Sequence, residues 1–304
     1  ESTKASVRVE RAVKASRAWI ASQAARIERT DLAPDLAQNI GSLRWFRGAA
    51  TFLSLSAVAL AFWPDSRGAT PKTLAGLITD ADPVGRDPQA YADVSIAGRG
   101  FYALEFLLYD DQISTMGDAD YRCALVQTVT ADIATQSQAI LDGWTSGYAE
   151  ALATPAEGGP YRSTEEAAQE LFKALNLGLE FTADTRIGRP MGSFDRPRPN
   201  RAETRRSGRS LRNVVVALTS LQDLAERLAA DDVAVVAAFD DRFDEALAIA
   251  ADLDDPVFAG TAKPQSRLRV EVLQQSVAAI RDVARQDLGP HLGVASGFNA
   301  LDGD

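Results

Sequence analysis

Arg209-Ser-Leu-Arg-Asn-Val-Val-Val-Ala-Leu-Thr-Ser-Leu-Gln-Asp-Leu-Ala-Glu-Arg-Leu-Ala-Ala230 decides the fold class. Leu211, Val214, Val215, Leu218, Leu221, Leu224, Ala225 and Leu228 recur every three or four residues, so they share one face of a helix. Ser207 or Ser210 is placed to cap its start. A short Ala-Asp-Asp link follows, and then a second stripe of Val236, Phe239, Phe243, Leu247 and Ala250 predicts a helix over about 233–252. So short a link makes the two helices antiparallel neighbours. Asp255-Pro256 and Gly260 break the chain before a third helix, about 266–288, that turns Leu273, Val277, Ile280 and Ala284 inward. A fourth, about 163–183, opens on Ser163 with Glu166 three residues on, the spacing of a capping box. Four amphipathic helices of this length pack naturally as a bundle.

The first half reads the same way, with helices predicted over about 4–29, 36–61, 95–109 and 118–152. A turn-rich stretch holding Pro64, Gly68, Pro71, Pro83, Gly85 and Pro88 separates the second from the third. Alternating β-branched stretches are scarce. The expected fold is therefore all-α, with two four-helix-bundle domains packed side by side. The segment Thr154-Pro-Ala-Glu-Gly-Gly-Pro160 is the best linker, which gives domains 1–157 and 158–304.

The totals remove several function classes. With 304 residues and 46% apolar content the chain can bury real cores without disulfides or metal staples. Its net charge of −10 disfavours nucleic acid and anionic membrane surfaces as partners. The longest uncharged run, from Arg47 to Asp65, is shorter than the roughly 20 residues of a membrane helix and carries Thr51, Ser54 and Ser56, so we expect a buried helix and no transmembrane segment. The sequence begins at Glu1 rather than Met, which we read as a removed leader or a trimmed start. Cys123 is the sole cysteine and reads as a small buried hydrophobe. His291 is the sole histidine and reads as a surface or packing residue, so a cluster of soft zinc ligands and a Ser/His/Asp triad are both disfavoured. Any metal would be held mostly by oxygen.

The chemistry concentrates at Gly98-Arg-Gly-Phe-Tyr-Ala-Leu-Glu-Phe-Leu-Leu-Tyr109. Glu105 is the lone charge between Phe101 and Tyr109, with Tyr102 and Tyr109 one turn away on either side. A carboxylate in such surroundings is costly unless it is paired or coordinated, which marks either a functional site or a structural acid bonded to a tyrosine or an arginine. A second feature is an arginine run. Arg186, Arg189, Arg196, Arg198, Arg201, Arg205, Arg206, Arg209 and Arg212 share their stretch with only Asp195 and Glu203 as acids. Most read as a solvated loop salt-bridged to the acidic body. Arg206, flanked by Ser207 and Ser210, is the exception and reads as part of an anion or carboxylate site at a helix start. The turn-rich tail offers Asn299 and Asp302 as oxygen donors that would line the same site, against a plainer reading as a docked tail.

Gly100-Phe-Tyr-Ala-Leu-Glu105 resembles the GxHxxE motif of the imelysin family, with Tyr102 where the histidine stands. Phe62-Trp63-Pro64-Asp65 is similar to the family's Trp-Pro segment ahead of that helix. Gly188-Arg-Pro-Met-Gly192 with Arg205-Arg-Ser-Gly-Arg-Ser210 resembles its loop into a second-half helix, and Gly297-Phe-Asn-Ala-Leu-Asp-Gly-Asp304 its closing segment. The resemblance implies a periplasmic or cell-surface protein of two helical bundles with a site near the domain interface. It implies a family first described as peptidases, with several members tied to iron uptake. The peptidase role depends on a metal held by the motif's His and Glu. A phenol titrating near ~10 does not replace a neutral imidazole.

The expected function is an exported, non-catalytic ligand- or metal-associated protein linked to iron uptake. Its ligand-binding residues would be Trp63, Gly100, Tyr102, Glu105, Arg206, Ser207, Ser210, Asn299 and Asp302. The expected partner is a small ligand or an iron-uptake protein, and the expected ion, if any, is divalent or ferric and held by Glu105. A metallopeptidase of the imelysin type and a structural or interaction module are the alternatives.

Overall fold

A computed structural model of the protein describes residues 59–294. Among these the fold is all-α; the one extended pairing is an isolated bridge between Ser193 and Arg196. The predicted helix over 4–29, and 36–61 up to residue 58, lie outside the described residues, as do Asn299 and Asp302. No helix among the described residues is long and apolar enough to cross a membrane.

The described chain divides into two compact units. One comprises 59–143 together with 203–209, and the other 144–202 together with 210–294.

In the first unit, α1 (Ala69–Thr79), α2 (Gly100–Tyr109) and α3 (Ala119–Gly143) carry the core, with α2 packed against both of the others. Asp65 starts α1: its carboxylate accepts from the amides of Arg67, Ala69 and Thr70 at 3.3, 2.9 and 2.8 Å. Burial pushes its pKa up, but those bonds outweigh it and hold the group below the ordinary carboxylate value. Helix α2 is shorter than the 95–109 predicted, because Ile96–Gly98 is a separate 3₁₀ turn and Arg99 is extended. The reason is Gly100. It has φ +75°, and a Cβ there would lie 2.3 Å from the carbonyl oxygens of both Ala59 and Leu60. The preceding segment touches the start of α2 backbone to backbone, which only glycine permits.

Arg99 locks this corner. It forms a two-pronged pair with Asp132 of α3, Nε to Oδ2 at 3.0 Å and Nη2 to Oδ1 at 2.6 Å, and donates from Nη1 to the Ala92 carbonyl at 2.8 Å. Gln136 donates to the same carboxylate at 2.6 Å. Helix α3 also corrects one expectation: Cys123 lies on its exposed face, not in the core. Its neighbours Tyr121 and Leu125 take the buried positions.

In the second unit α4 (Thr164–Glu180), α5 (Ser210–Leu228), α6 (Val233–Leu253) and α7 (Pro264–Val283) pack in a ring, α4 on α5, α5 on α6, α6 on α7 and α7 on α4. Leu175, Leu218, Phe239, Phe243, Leu273 and Val277 fill it. The stripes were read correctly at their centres, whereas Leu211, Val215 and Leu224 sit at the edge and stay half-buried. Ser163 caps α4 through the Glu166 amide at 3.3 Å, but Glu166 returns its bond to the Arg162 amide at 2.8 Å, one residue early for a capping box. Neither serine proposed for α5 caps it. Ser207 is committed elsewhere, and Ser210, already helical, is buried with its Oγ unbonded. Two of the long predicted helices, 163–183 and 266–288, run from α-helix into π-helical turns at Phe181–Ile187 and Ala284–Leu288. His291 packs between Asp231 at 3.0 Å and Asp232 at 3.4 Å.

Replacing Asp132 by Ala leaves the largely buried Arg99 guanidinium without its counter-charge. We expect a loss of about 3 kcal/mol or more in chemical denaturation, whereas Asp223→Ala, which removes an exposed pair on α5, costs under about 1 kcal/mol.

Candidate functional site

Helix α2 turns one face toward the segment 203–209. Tyr102, Glu105, Phe106 and, just past the helix, Asp110 recur at helical spacing, and each meets a residue of that segment. The Tyr102 hydroxyl donates to Glu203 Oε1. Both residues are buried, Glu203 at 1% exposure. The Trp63 ring stacks near Tyr102, with centroids 6.3 Å apart. Ser207 donates to Glu105 Oε1 twice, from its amide and from its hydroxyl, both at 2.9 Å; the hydroxyl also lies 3.1 Å from the Thr204 carbonyl. Arg206 lays its guanidinium over the Phe106 ring at 3.6 Å and donates from Nε to Asp110 Oδ2 at 2.5 Å. The loop turns sharply enough to do this because Thr204 and Gly208 adopt positive φ, 47° and 72°.

The structure thus brings Trp63, Gly100, Tyr102, Glu105, Arg206 and Ser207 together in one unit. Ser210 belongs to the other unit, and Asn299 and Asp302 lie outside the described residues. Glu203 and Asp110 were not proposed from sequence. Glu203 was hidden in the arginine run, where it read as a counter-ion. Its partner is a tyrosine 101 residues earlier.

Electrostatics separates the two acids that hold the segment. Burial pushes the Glu105 pKa above the ordinary value; the two Ser207 bonds and the Arg206 charge oppose this, and the neighbouring Glu203 adds to it. Asp110 moves the other way. Burial raises it, but the bond to Arg206 and the amides of Ile113 and Gln112 prevail. Glu105 Oε1 is committed to Ser207, and Oε2 accepts no hydrogen bond from the described residues. The acceptor on offer is therefore one oxygen of a nearly buried acid. Among the described residues no group of three or more His, Cys, Asp or Glu is placed to hold a metal ion. Two carboxylates and a phenol already bonded to one of them do not make up a metal's full donor set.

The family model for Imelysin matches residues 9–284, and the chain belongs to that family. A crystal structure of an imelysin-like protein from Psychrobacter arcticum 273-4 matches with a TM-score of 0.71 at 17% identity, over 98% of this chain and 93% of that one, a likeness of fold. No curated protein matches the sequence.

Because the folded Glu105 binds its proton more tightly than the unfolded one, its stabilising contribution is full below the ordinary glutamate pKa and is lost as pH rises through the folded value. Glu105→Gln keeps an acceptor for Ser207 and removes the charge. We expect its melting temperature, relative to the wild type, to rise as pH climbs above the ordinary glutamate value and to level off once the folded carboxyl has ionised, in thermal scans. A difference that stays flat with pH would show that the acid is not desolvated.

Proposed function

We propose that this protein is an exported, non-catalytic binding protein linked to iron uptake, with its ligand site around Glu105. The observation that carries this reading is the state of that carboxylate. It is 7% exposed, fixed through one oxygen by Ser207, and uncommitted through the other among the described residues. A rigid, desolvated acceptor of this kind suits a ligand that brings a positive charge or hydrogen-bond donors. A divalent or ferric ion would enter with most of its own ligands still attached, since the described residues supply so few. Tyr102, in the motif's histidine position by resemblance, donates its hydroxyl hydrogen bond to Glu203, which supports a binding role over hydrolysis. Export, a periplasmic location and the tie to iron are read from what the family resemblance implies.

Ferric ion supplied as its nitrilotriacetate chelate, and ferrous ion alone, are suitable probes for calorimetry, with a casein cleavage assay beside them on the full chain purified without chelators. We expect at least one probe to bind, affinity to fall about tenfold or more in Glu105→Gln, and casein to remain intact. Casein cleavage that Glu105→Gln abolishes would establish the metallopeptidase alternative instead. Absence of binding by every probe, with the variant indistinguishable from the wild type, would leave an interaction module.

A further inference from the structure

The second unit holds a cleft of about 380 Å³ lined by Arg189, Arg196, Arg198 and Arg201, with Asp184 its one acid. We propose that this cleft is a binding site for a small organic polyanion, a molecule bearing two or more carboxylate or phosphate groups.

Charge balance is the first argument. The chain as a whole is at −10, so arginines on its surface have acids in plenty to choose from. Arg162, Arg227, Arg242 and Arg281 take them. The side chains of Arg196, Arg198 and Arg201 make no hydrogen bond or ion pair among the described residues, so these three take no part in the salt bridges expected of the loop. Asp184 does not neutralise the cleft: it is largely exposed and lies 3.8 Å from Arg281. Asp195, the acid within the loop, is exposed and does not line the cleft. Arg189 is held partly buried beside Arg201, and burial first, the Arg201 charge second, lower its pKa. The three like charges of Arg196, Arg198 and Arg201 on one concavity repel each other, and an anion lying between them relieves that repulsion.

The second argument is that the loop is built, not loose. The buried Arg267 donates to the carbonyls of Met191 at 2.6 Å and Ser193 at 3.2 Å, while Glu271 balances its charge at 2.7 Å. The Arg198 amide returns to the Pro190 carbonyl at 2.9 Å, and Ser193 bridges to Arg196. Gly192, at φ +55°, has no room for a Cβ, which would lie 2.5 Å from the Arg196 carbonyl oxygen. In Arg196-Pro197-Arg198-Pro199 the prolines fix every second φ, so the guanidinium groups are presented with little backbone entropy left to lose. Planar guanidinium forks match carboxylate and phosphate oxygens in pairs. The cleft is of small-molecule size, in the range of roughly 300–1,000 Å³.

Calorimetry with pyrophosphate, tricarballylate and acetate on the full chain, at low and high NaCl, tests this and separates phosphate from carboxylate sources. We expect one of the two polyanions to bind at least about tenfold more tightly than acetate, and to weaken with salt. Arg198→Gln and Arg201→Gln should each weaken it about tenfold. The melting temperature of the ligand-free Arg201→Gln protein should be unchanged or higher, since a repulsion is removed, and its rise on adding polyanion should shrink. Equal, weak binding of all three probes, undiminished binding by both variants, or a lower melting temperature for ligand-free Arg201→Gln would overturn the proposal.

Discussion

Burying the Glu105 carboxylate imposes the condition that shapes the first unit. An ionised acid removed from water costs several kcal/mol unless donors replace the solvent. Helix α2 has none to give: its own residues around Glu105 are apolar, and its free amides lie at the other end of Gly100–Tyr109. The donors arrive from 102 residues away, as the Ser207 amide and hydroxyl. The same short segment supplies Glu203 for Tyr102 and Arg206 for Asp110. One helical face therefore ties down a loop distant in sequence, and 203–209 belongs to the unit of α2, not to the unit of its chain neighbours.

This arrangement explains which parts of the protein were legible beforehand. Helix periodicity is a local property, so the stripes of α5, α6 and α7 and the break at Asp255-Pro256 could be read directly. Glu105 stood out for the same reason, as a lone charge in an apolar run. What escaped reading depended on distance. Glu203 has the composition of a counter-ion in an arginine loop, and nothing near it in sequence signals a buried tyrosine partner. Ser207 carried the pattern of a helix cap, yet a hydroxyl that can cap a helix can equally satisfy a carboxylate, and the costlier unpaired group won. Cys123 was misread by residue type alone, although the positions two before and two after it hold the buried side chains of α3. The π-helical turns ending α4 and α7 leave the spacing of apolar residues nearly unchanged, so a pattern of period 3.6 runs through them unnoticed.

The arginine run shows how one composition yields two opposite environments. Up to Arg201 it sits on a scaffold of glycine and proline, held by backbone carbonyls that accept from Arg267 and offer nothing to the loop's own cations. From Glu203 onward it meets the acids of α2 and its C-terminal turn, and Arg206 is neutralised there by Asp110. A count of charges over 186–212 averages these two halves and predicts a solvated basic loop. Resolved residue by residue, the run passes from Arg196, Arg198 and Arg201, which pair with no acid among the described residues, to Arg206, which Asp110 neutralises.

That change constrains what each half can bind. Around Glu105 the positive charge is spent and an acid oxygen is left over, so the occupant must donate or carry positive charge. In the cleft near Arg198 the guanidinium groups are left over, so the occupant must carry negative charge. A single neutral ligand satisfies neither. Each site therefore calls for a ligand of its own. The affinity of the Glu105 site for a cation rises with pH as its carboxyl ionises.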